Sequence, residues 1–558
     1  MSAEIAMEAP AHAAIEVNPR ARFEILAAIM LALFLGALDQ TIVGPVLPKI
    51  TRELQGIDLY TWVVTSYLVT STAAIPIYGK LSDVFGRKPM LILGIVLFLI
   101  GSALSGLSQN MQELIAFRGL QGLGAGALFP ISLAVIGDLF TPAERGKYQG
   151  LFGGVFGIAF LVGPFLGGFL TDNFSWHWIF YVNIPVGLVS LFLIGRLLPM
   201  VRPHGVRFTL DIPGLVTFLG AVVPVLIALT NAETNDWLDF SVVSWFAVGA
   251  VFFVLFLVAE ARAGDPIIPL RLFRNRTFTV SSIATFLAVF GFSTLIIFLP
   301  LWFQIVQNAS TTASGYLLFP FLVGLIFNSI LAGQLVSRTG RYKALLAGSL
   351  VVMAVGLGLF SQLHADTPYY AMALWMLIAG LGVGPTMAIF TLIVQNDVEF
   401  ELLGTATSDL TLIRQIGTSV GLTMAFTFFR DNLTWGLIHD SVASALPAGT
   451  PGSAVPTSPP PGFNMDQLFS PTGDGGGFSA ALAQYPPQIQ AAFVSGFHEA
   501  FSVAIANSVI VGVVAALLSF GAVLLLHEKE LRAHFHAEQA ARAGLAPRPA
   551  IGSAEPAE

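Results

Sequence analysis

Long runs of apolar residues occur along most of this chain. Crossing the hydrocarbon core of a bilayer as a helix takes about 20 mostly apolar residues. Fourteen runs meet that requirement, and they are centred near Leu35, Val69, Val96, Leu128, Phe160, Val189, Val222, Val251, Leu287, Val323, Val352, Ile378, Ser419 and Val513. The pattern therefore predicts an all-α polytopic membrane protein with fourteen spans.

The composition supports this prediction. Of the 558 residues, 55% are hydrophobic and 11% are charged, and the mean hydropathy is +0.78. A soluble chain of this size could not cover its surface with so few charges, since soluble proteins carry about 25% charged residues. The net charge of −7 does not favour binding to nucleic acid, which is itself negatively charged.

Several kinds of active site are excluded by the residues that are missing from the sequence. It contains no cysteine, which excludes disulfides, thiol nucleophiles and Cys-based metal sites. The nine histidines are scattered, with no metal-ligand cluster, and no Gly-x-x-x-x-Gly-Lys-Ser/Thr phosphate loop is present. We therefore expect no metal, no cofactor, no ATP drive and no enzymatic activity.

The positive charges predict the orientation. With both termini in the cytoplasm, 21 of the 26 lysines and arginines lie on the cytoplasmic side, three lie outside and two lie within spans. Such segregation is what the positive-inside rule requires. The resulting divisions are a tail over 1–24, six spans over 25–200, an inserted pair over 208–262, six spans over 277–527 and a tail over 528–558.

A long outside loop, about residues 431–497, is rich in proline, glycine and serine. Such a composition cannot bury a core, which favours a disordered linker. A loop that captures substrate or binds a partner is the alternative.

Two loops have the same pattern. The sequence from Gly79 to Lys88 and the sequence from Gly333 to Lys343 both fit Gly-x-Leu-x-x-x-x-Gly-Arg, at an offset of 254 residues. Each follows the second span of a six-span block. The repeat predicts two related six-helix halves with the helical pair inserted between them.

The Gly79–Lys88 loop resembles the signature loop of the major facilitator superfamily. Further similar motifs are Leu38–Val43 in the first span, Phe117–Gly122 in the fourth, Glu144–Gly146, Gly163–Gly168 in the fifth, Trp176–Pro185 and Arg414–Gly417. Fourteen spans are typical of that superfamily's drug:proton antiporters of the EmrB/QacA type.

This resemblance implies the major facilitator fold and a function. We expect a multi-pass protein of the cell membrane that exports hydrophobic or cationic drug-like compounds by alternating access, with the proton gradient as its energy source. The alternatives are export of an endogenous lipid or secondary metabolite and, less favoured, a membrane sensor that transports nothing. The expected partners are a small-molecule substrate, protons and the lipid bilayer, and the sequence does not indicate whether a periplasmic adaptor exists.

Asp39 is the first candidate for proton coupling, because a carboxylate inside a span is costly and usually functional. Arg118 reaches a similar depth, so the two side chains could pair across the cavity, either as a coupling site or as a permanent structural pair. Arg414 could fix its own helix or alternate as a partner of Asp39. Asp409, nearer the cytoplasm, is expected to be a solvated carboxylate, with a second proton site as the alternative.

The Gly79–Lys88 loop is the gate candidate. Gly79 and Gly86 permit close approach and positive φ, and in the family's arrangement Asp83 faces the start of the thirteenth span, where free N–H groups favour an anion. Arg87 is expected to pair with Asp138. The remaining gate residues are Lys88, which alternatively only enforces topology, and Arg145.

Small residues in the fifth span, Gly163, Pro164, Gly167 and Gly168, fit the superfamily's antiporter motif and predict a tight, kinked interface. Weaker candidates for the substrate cavity are Tyr67, Gln304 and Gln307, although aromatic residues are common at membrane interfaces and the glutamines could face water.

Overall fold

The computed structural model describes residues 19–56, 59–200, 211–399, 402–446 and 486–529, together with positions 455 and 458. Within these residues, each of the fourteen predicted centres falls in its own helix. These fourteen long helices, between which shorter helices also occur, are α1 (Pro19–Ile42), α2 (Tyr60–Phe85), α3 (Arg87–Ser105), α4 (Met111–Leu139), α5 (Pro142–Asn173), α6 (Asn183–Leu197), α7 (Ile212–Thr234), α8 (Phe240–Arg262), α9 (Arg276–Ile305), α10 (Phe319–Thr339), α11 (Lys343–Leu359), α12 (Tyr369–Asp397), α13 (Leu403–Asn432) and α14 (Pro487–Leu524).

Twelve of the described helices are long and apolar enough to cross a membrane. The other two long helices, α2 and α13, contain 26 and 30 residues and are rich in serine and threonine. They occupy the positions of the second and thirteenth predicted spans. The total of fourteen spans and the cytoplasmic position of both termini stay predictions, and "inner end" below denotes the end that the positive charges assign to the cytoplasm.

The two halves have matching internal packing. In the first half, α4 packs on α2 and α3, and α1 packs on α5 and α6; in the second, α12 packs on α10 and α11, and α9 packs on α13 and α14. Contacts between the halves follow the same symmetry, since α2 packs on α13 and α5 packs on α10. The loop repeat therefore reflects a repeat of whole six-helix units.

The inserted pair lies beside the contact between the halves. Helix α7 packs on α2 from the first half and on α13 from the second. The Thr65 hydroxyl lies 3.4 Å from that of Thr230, and the Thr423 hydroxyl donates to the Leu229 carbonyl. Helix α8 packs on α7 and leaves apolar side chains such as Val251 and Val254 exposed, as expected for a lipid-facing helix.

The outside loop and the tails differ in extent from the predicted boundaries. A helix spans Trp435–Ala445, and α14 already begins at Pro487. Most of the loop between them, and with it the linker prediction, lies outside the described residues, as does the tail beyond Lys529. At the N-terminus, α1 begins at Pro19, ahead of the expected boundary at residue 25.

Candidate functional site

Asp39 lies at the centre of a buried polar network. Its side chain is fully buried, and its Oδ2 accepts a hydrogen bond of 2.7 Å from Nη1 of Arg118. Its Oδ1 accepts from Nε2 of Gln121 at 2.8 Å and from Nδ2 of Asn183 at 2.9 Å. The network thus joins α1 to α4 and α6, and Asn183 extends it to Ser102 on α3.

Arg118 is held from several sides. Its Nη1 also donates to Oε1 of Gln121, one turn further along α4, at 2.8 Å. The Tyr67 ring centre lies 4.2 Å from the guanidinium carbon, within the range of a cation–π contact. Tyr67 is 1% exposed. The structure therefore places Tyr67 in the Asp39–Arg118 site, not in the open substrate cavity that the sequence suggested.

Sequence reasoning assigned no role to Gln121 or Asn183, although both lie in motifs that resemble the superfamily. The sequence feature that could have identified them is a side-chain amide inside or beside an apolar run, where an unpaired polar group is costly. The structure pairs each of them with Asp39, from 82 and 144 residues away along the chain.

Arg414 does not join this network. Its Nη2 lies 3.3 Å from the Met387 carbonyl and from the Thr391 hydroxyl, both on α12. This arrangement matches the expectation that Arg414 fixes α13 structurally, and it leaves pairing with Asp39 as a prediction for another conformation.

The sequence prediction for Asp409 is wrong. It was expected to be solvated, yet its side chain is 1% exposed, and neither carboxylate oxygen has a hydrogen-bond partner in the described structure. Asp409 lies near the start of α13, as its position in the sequence indicated, but it is not exposed to water there. Helix α13 is covered at this level by α2 from the other half, and position along one helix does not reveal that cover.

The Gly79–Lys88 loop, which consists of the end of α2, Gly86 and the start of α3, joins the two halves at their inner ends. Asp83 Oδ2 accepts from the backbone N–H and the hydroxyl of Thr405, each at 2.7 Å, at the start of α13. Asp83 also forms an ion pair with Arg87. Arg87 Nε in turn donates to Asp138 Oδ2 at 2.9 Å, which ties the loop to α4. The contacts anticipated for these residues are all present.

Two further loop residues have local roles. Gly86 has a φ of 95°, a backbone conformation that favours glycine, and it separates α2 from α3. Lys88 donates to the Gly195 carbonyl at the end of α6 at 2.6 Å. This bond stays within the first half, so Lys88 does not bridge the gate.

Arg145 bridges the halves in a way that the sequence did not indicate. It is 1% exposed, and its guanidinium donates to the carbonyls of Gly137 and Phe140 in the first half and Gln395 on α12 in the second. Gln149 adds a side-chain bond to Gln395 at 2.7 Å. Buried carbonyls are costly to leave unpaired, so these bonds favour the closed inner end.

We expect Gly79→Ala to open the inner end and lower any transport about tenfold. A Cβ at Gly79 would lie 1.7 Å from the Ser408 Oγ and 2.5 Å from its Cβ, so α2 and α13 would have to separate. Overpacking of this kind costs about 1–3 kcal/mol. Transport rates of the reconstituted variants measure the effect.

The double variant Gly79→Ala/Ser408→Gly should recover most of the rate, because it removes the clashing side chain. Gly195→Ala is the matched control, since no atom lies within 4 Å of the added Cβ. Equal rates for Gly79→Ala and Gly195→Ala would contradict the close-packing interpretation.

The small residues of α5 contact both halves. Added Cβ atoms at Gly163 and Gly167 would meet Thr41 and Ile42 of α1 at 2.1 and 2.7 Å. The other side of the motif faces the second half, where Thr312 lies against Gly168 and Gly315 lies against Pro164. Nearer the inner end, Gly146 of α5 packs on Gly333 of α10. The helix therefore contributes to the packing between the halves along much of its length.

An apolar cavity lies between α5 of the first half and α9, α10 and α12 of the second. Its volume is about 60 Å³, and it is lined by Gly153, Phe156, Gly157, Phe160, Phe292, Leu295, Ile296, Leu299, Leu318, Phe321, Leu322, Leu325 and Met387. Gln304 and Gln307 are not part of this lining. Gln304 donates to the Ser314 hydroxyl, and Gln307 is exposed just beyond α9, as expected for glutamines near the end of a span.

Comparison with known proteins agrees with this architecture. The family model described as Major Facilitator Superfamily matches residues 29–422. The chain is 39% identical over 401 residues to "Multidrug transporter protein MdtP" of Bacillus subtilis (strain 168), covering 72% of this chain and 74% of that protein. It is 35% identical over 431 residues to "Multidrug resistance protein 3" of the same organism, covering 77% and 84%. The crystal structure of the human organic anion transporter MFSD10 (TETRAN) has a similar fold, with a TM-score of 0.60 and 15% identity over 91% of this chain and 100% of that one.

Proposed function

Because this chain belongs to the major facilitator superfamily of membrane transporters, which are not enzymes, we propose that it exports hydrophobic compounds in exchange for protons. The similarity to bacterial multidrug transporters supports the outward direction. We assign the chain to the fourteen-helix drug:proton antiporters of the superfamily and place it in the cell membrane, with both termini in the cytoplasm.

The observation that carries the proton coupling is the buried Asp39 network. An acid whose surroundings alternate between low and high polarity can bind a proton in one conformation and release it in the other. Asp39 is fully buried, and Arg118, Gln121 and Asn183 donate hydrogen bonds to its two carboxylate oxygens. Moving any of these donors would change the surroundings of the carboxylate.

The second component is a gate at the inner end. Asp83, Arg145 and Gln149 all form bonds that cross between the halves there. Because these bonds are made together, they would break together when the halves rock, which gives two discrete states instead of a continuous leak. We infer that the arrangement described here is the one closed toward the cytoplasm.

The apolar cavity between the halves is our candidate substrate site, and it would have to widen in another conformation to admit a drug-sized compound. Its lining contains no charged residue, so affinity there would come from the burial of apolar surface. This property also supports the second candidate function, export of an endogenous neutral lipid or metabolite. It gives no particular support to the recognition of cations.

Transport by the reconstituted protein under an imposed pH gradient tests the proposal. A lipophilic cationic dye and a neutral lipophilic dye are compared in liposomes that differ only in the sign of the gradient. We expect accumulation of at least one dye that reverses with the gradient and ceases when an ionophore collapses it. Accumulation that is unchanged without a gradient would contradict proton coupling, and uptake of the neutral dye alone would favour the lipid or metabolite alternative.

We expect Leu322→Trp to weaken binding of a lipophilic dye about tenfold, which corresponds to about 1.4 kcal/mol. Leu322 is 4% exposed and lines the cavity, so a larger ring there would occupy part of the space. Leu331→Trp on the same helix is the matched control, because Leu331 lies outside the lining and is 38% exposed. Dye titration of both purified variants gives the comparison, and equal affinities would exclude this cavity as the binding site.

A further inference from the structure

Asp409 is a buried acid that the proposed coupling site does not use. It lies on α13, about two turns inside the inner end, with 1% of its side chain exposed. In the described part of the chain, neither of its oxygens has a hydrogen-bond partner. An ionised carboxylate without donors in such a place is very unfavourable, so the side chain must bind something or be neutral in this conformation.

A second buried acid reaches this region from the inserted pair. Glu260 lies at the inner end of α8 and is 3% exposed. Its Oε1 accepts from the backbone N–H groups of Ile267 and Ile268, both at 3.2 Å, whereas its Oε2 has no partner within the described residues. Ile267 and Ile268, which donate to Glu260, pack in one cluster with Leu412, about one turn from Asp409 on α13, and this packing brings Glu260 near Asp409.

The segment that follows α8 is fixed to the core. Asp265 forms an ion pair with Lys80 of α2. Ile267 and Ile268 pack in one apolar cluster with Ile75 of α2 and Leu412 of α13. The inserted pair is therefore anchored at the inner end to the same two helices that meet at the gate.

The other charged groups around the two acids are already engaged. Asp83 of α2 also acts on Asp409, but it is bound by Arg87 and Thr405. Arg414, on the same helix as Asp409, donates to α12 instead. Charged groups near the inner ends of neighbouring elements include Lys80, which pairs with Asp265, Asp138 of α4, which pairs with Arg87, Asp397 of α12, which pairs with Lys529, and Asp211, which acts on Glu260.

We propose that Asp409 and Glu260 form a second proton-binding site, in which Asp409 holds a proton while α2 and α13 are closed and releases it when they separate. The inference rests on the proposed proton-coupled transport. It gives the inserted pair a function, because Glu260 places a second carboxyl group near Asp409, and two neighbouring carboxyl groups resist being ionised together. Separation of α2 from α13 would admit water and so favour release on the inner side.

The two acids differ in their hydrogen bonds. One oxygen of Glu260 accepts from two backbone N–H groups, whereas neither oxygen of Asp409 has a donor within the described residues. A proton requires a single oxygen, whereas a metal cation such as Ca²⁺ takes about six to eight oxygen ligands. Asp409 and Glu260 together have four carboxylate oxygens, and one of these already accepts backbone hydrogen bonds. This set of oxygens suits a proton better than a metal cation.

Infrared spectroscopy of the full-length protein in liposomes, without substrate or gradient, tests the site separately from transport. We expect the wild type to show the carbonyl band of a protonated buried carboxyl at neutral pH. The band should disappear in Asp409→Asn and persist in Asp39→Asn. In Glu260→Gln the midpoint of its loss should fall by about one pH unit, because the opposing charge is removed.

The outcomes separate this site from the proposed transport. The proposed site would be overturned if the carbonyl band persists in Asp409→Asn. It would also be overturned if the pH midpoint at which the band is lost is the same in Glu260→Gln as in the wild type. Both conclusions hold even if the wild type exports dye under a pH gradient. A band whose loss depends on sodium concentration at fixed pH would overturn it in favour of a metal cation. If Asp409→Asn does not fold, the Glu260→Gln midpoint still decides. Failure of wild-type transport with the band behaving as expected would overturn only the transport proposal.

Discussion

Asp39→Asn is expected to reduce substrate accumulation under a pH gradient to background while leaving downhill exchange measurable. An amide cannot bind and release the proton, but it has nearly the same size as the acid. The asparagine side chain also has only one acceptor oxygen, whereas the three donors Arg118, Gln121 and Asn183 now share the two carboxylate oxygens of Asp39. The measurement compares uphill dye uptake with equilibrium exchange of the same dye at equal pH on both sides of the membrane.

A purely structural ion pair would give a different result. Removing one partner of a buried pair costs about 3–5 kcal/mol, so the variant would then express poorly or unfold. Asp236→Asn is the matched control: Asp236 also pairs with an arginine, Arg430, but its side chain is 89% exposed, so both activities should be retained. Well-folded Asp39→Asn protein that still concentrates dye would show that Asp39 does not carry the transported proton.

Asp83→Asn is expected to slow export about tenfold without preventing membrane insertion. The asparagine side chain cannot form the ion pair with Arg87. It also lacks the negative charge that strengthens the hydrogen bond from the Thr405 N–H at the start of α13. Hydrogen bonds to charged groups contribute about 1.5–3 kcal/mol. The preference for the conformation closed at the inner end over the open one would therefore fall at least tenfold. Dye transport and the accessibility of a thiol at the gate measure the change.

The absence of cysteine makes the second measurement direct. Ser408 is fully buried at the contact between α2 and α13, so Ser408→Cys introduces a single thiol there. Its labelling should be faster with Asp83→Asn than without it. Lys88→Gln is the control, because the Lys88 bond to Gly195 stays within one half. Unchanged transport and labelling in Asp83→Asn would exclude the gate role.

Much of the site could be anticipated from single positions. A carboxylate and an arginine at similar depths in apolar runs indicated that Asp39 and Arg118 could pair, and the resemblance of the Gly79–Lys88 loop to the superfamily's signature loop predicted the contact of Asp83 with α13. Gln395 and the bridging role of Arg145 were not foreseen. Their hydrogen bond joins residues 250 positions apart, and the local sequence around Arg145 is compatible with an ordinary solvated loop.

The sequence by itself determined where the helices lie and that they form two related halves. The cost of unpaired backbone groups in a bilayer restricts long apolar runs to helices, and a repeated motif records a repeated unit. Only the tertiary structure decided which face of each helix is covered. Asp409 is buried because α2 covers α13, Arg414 is bonded to α12, and α7 packs against both α2 and α13. Burial depends on neighbours distant in sequence, which the order of residues along one helix does not reveal.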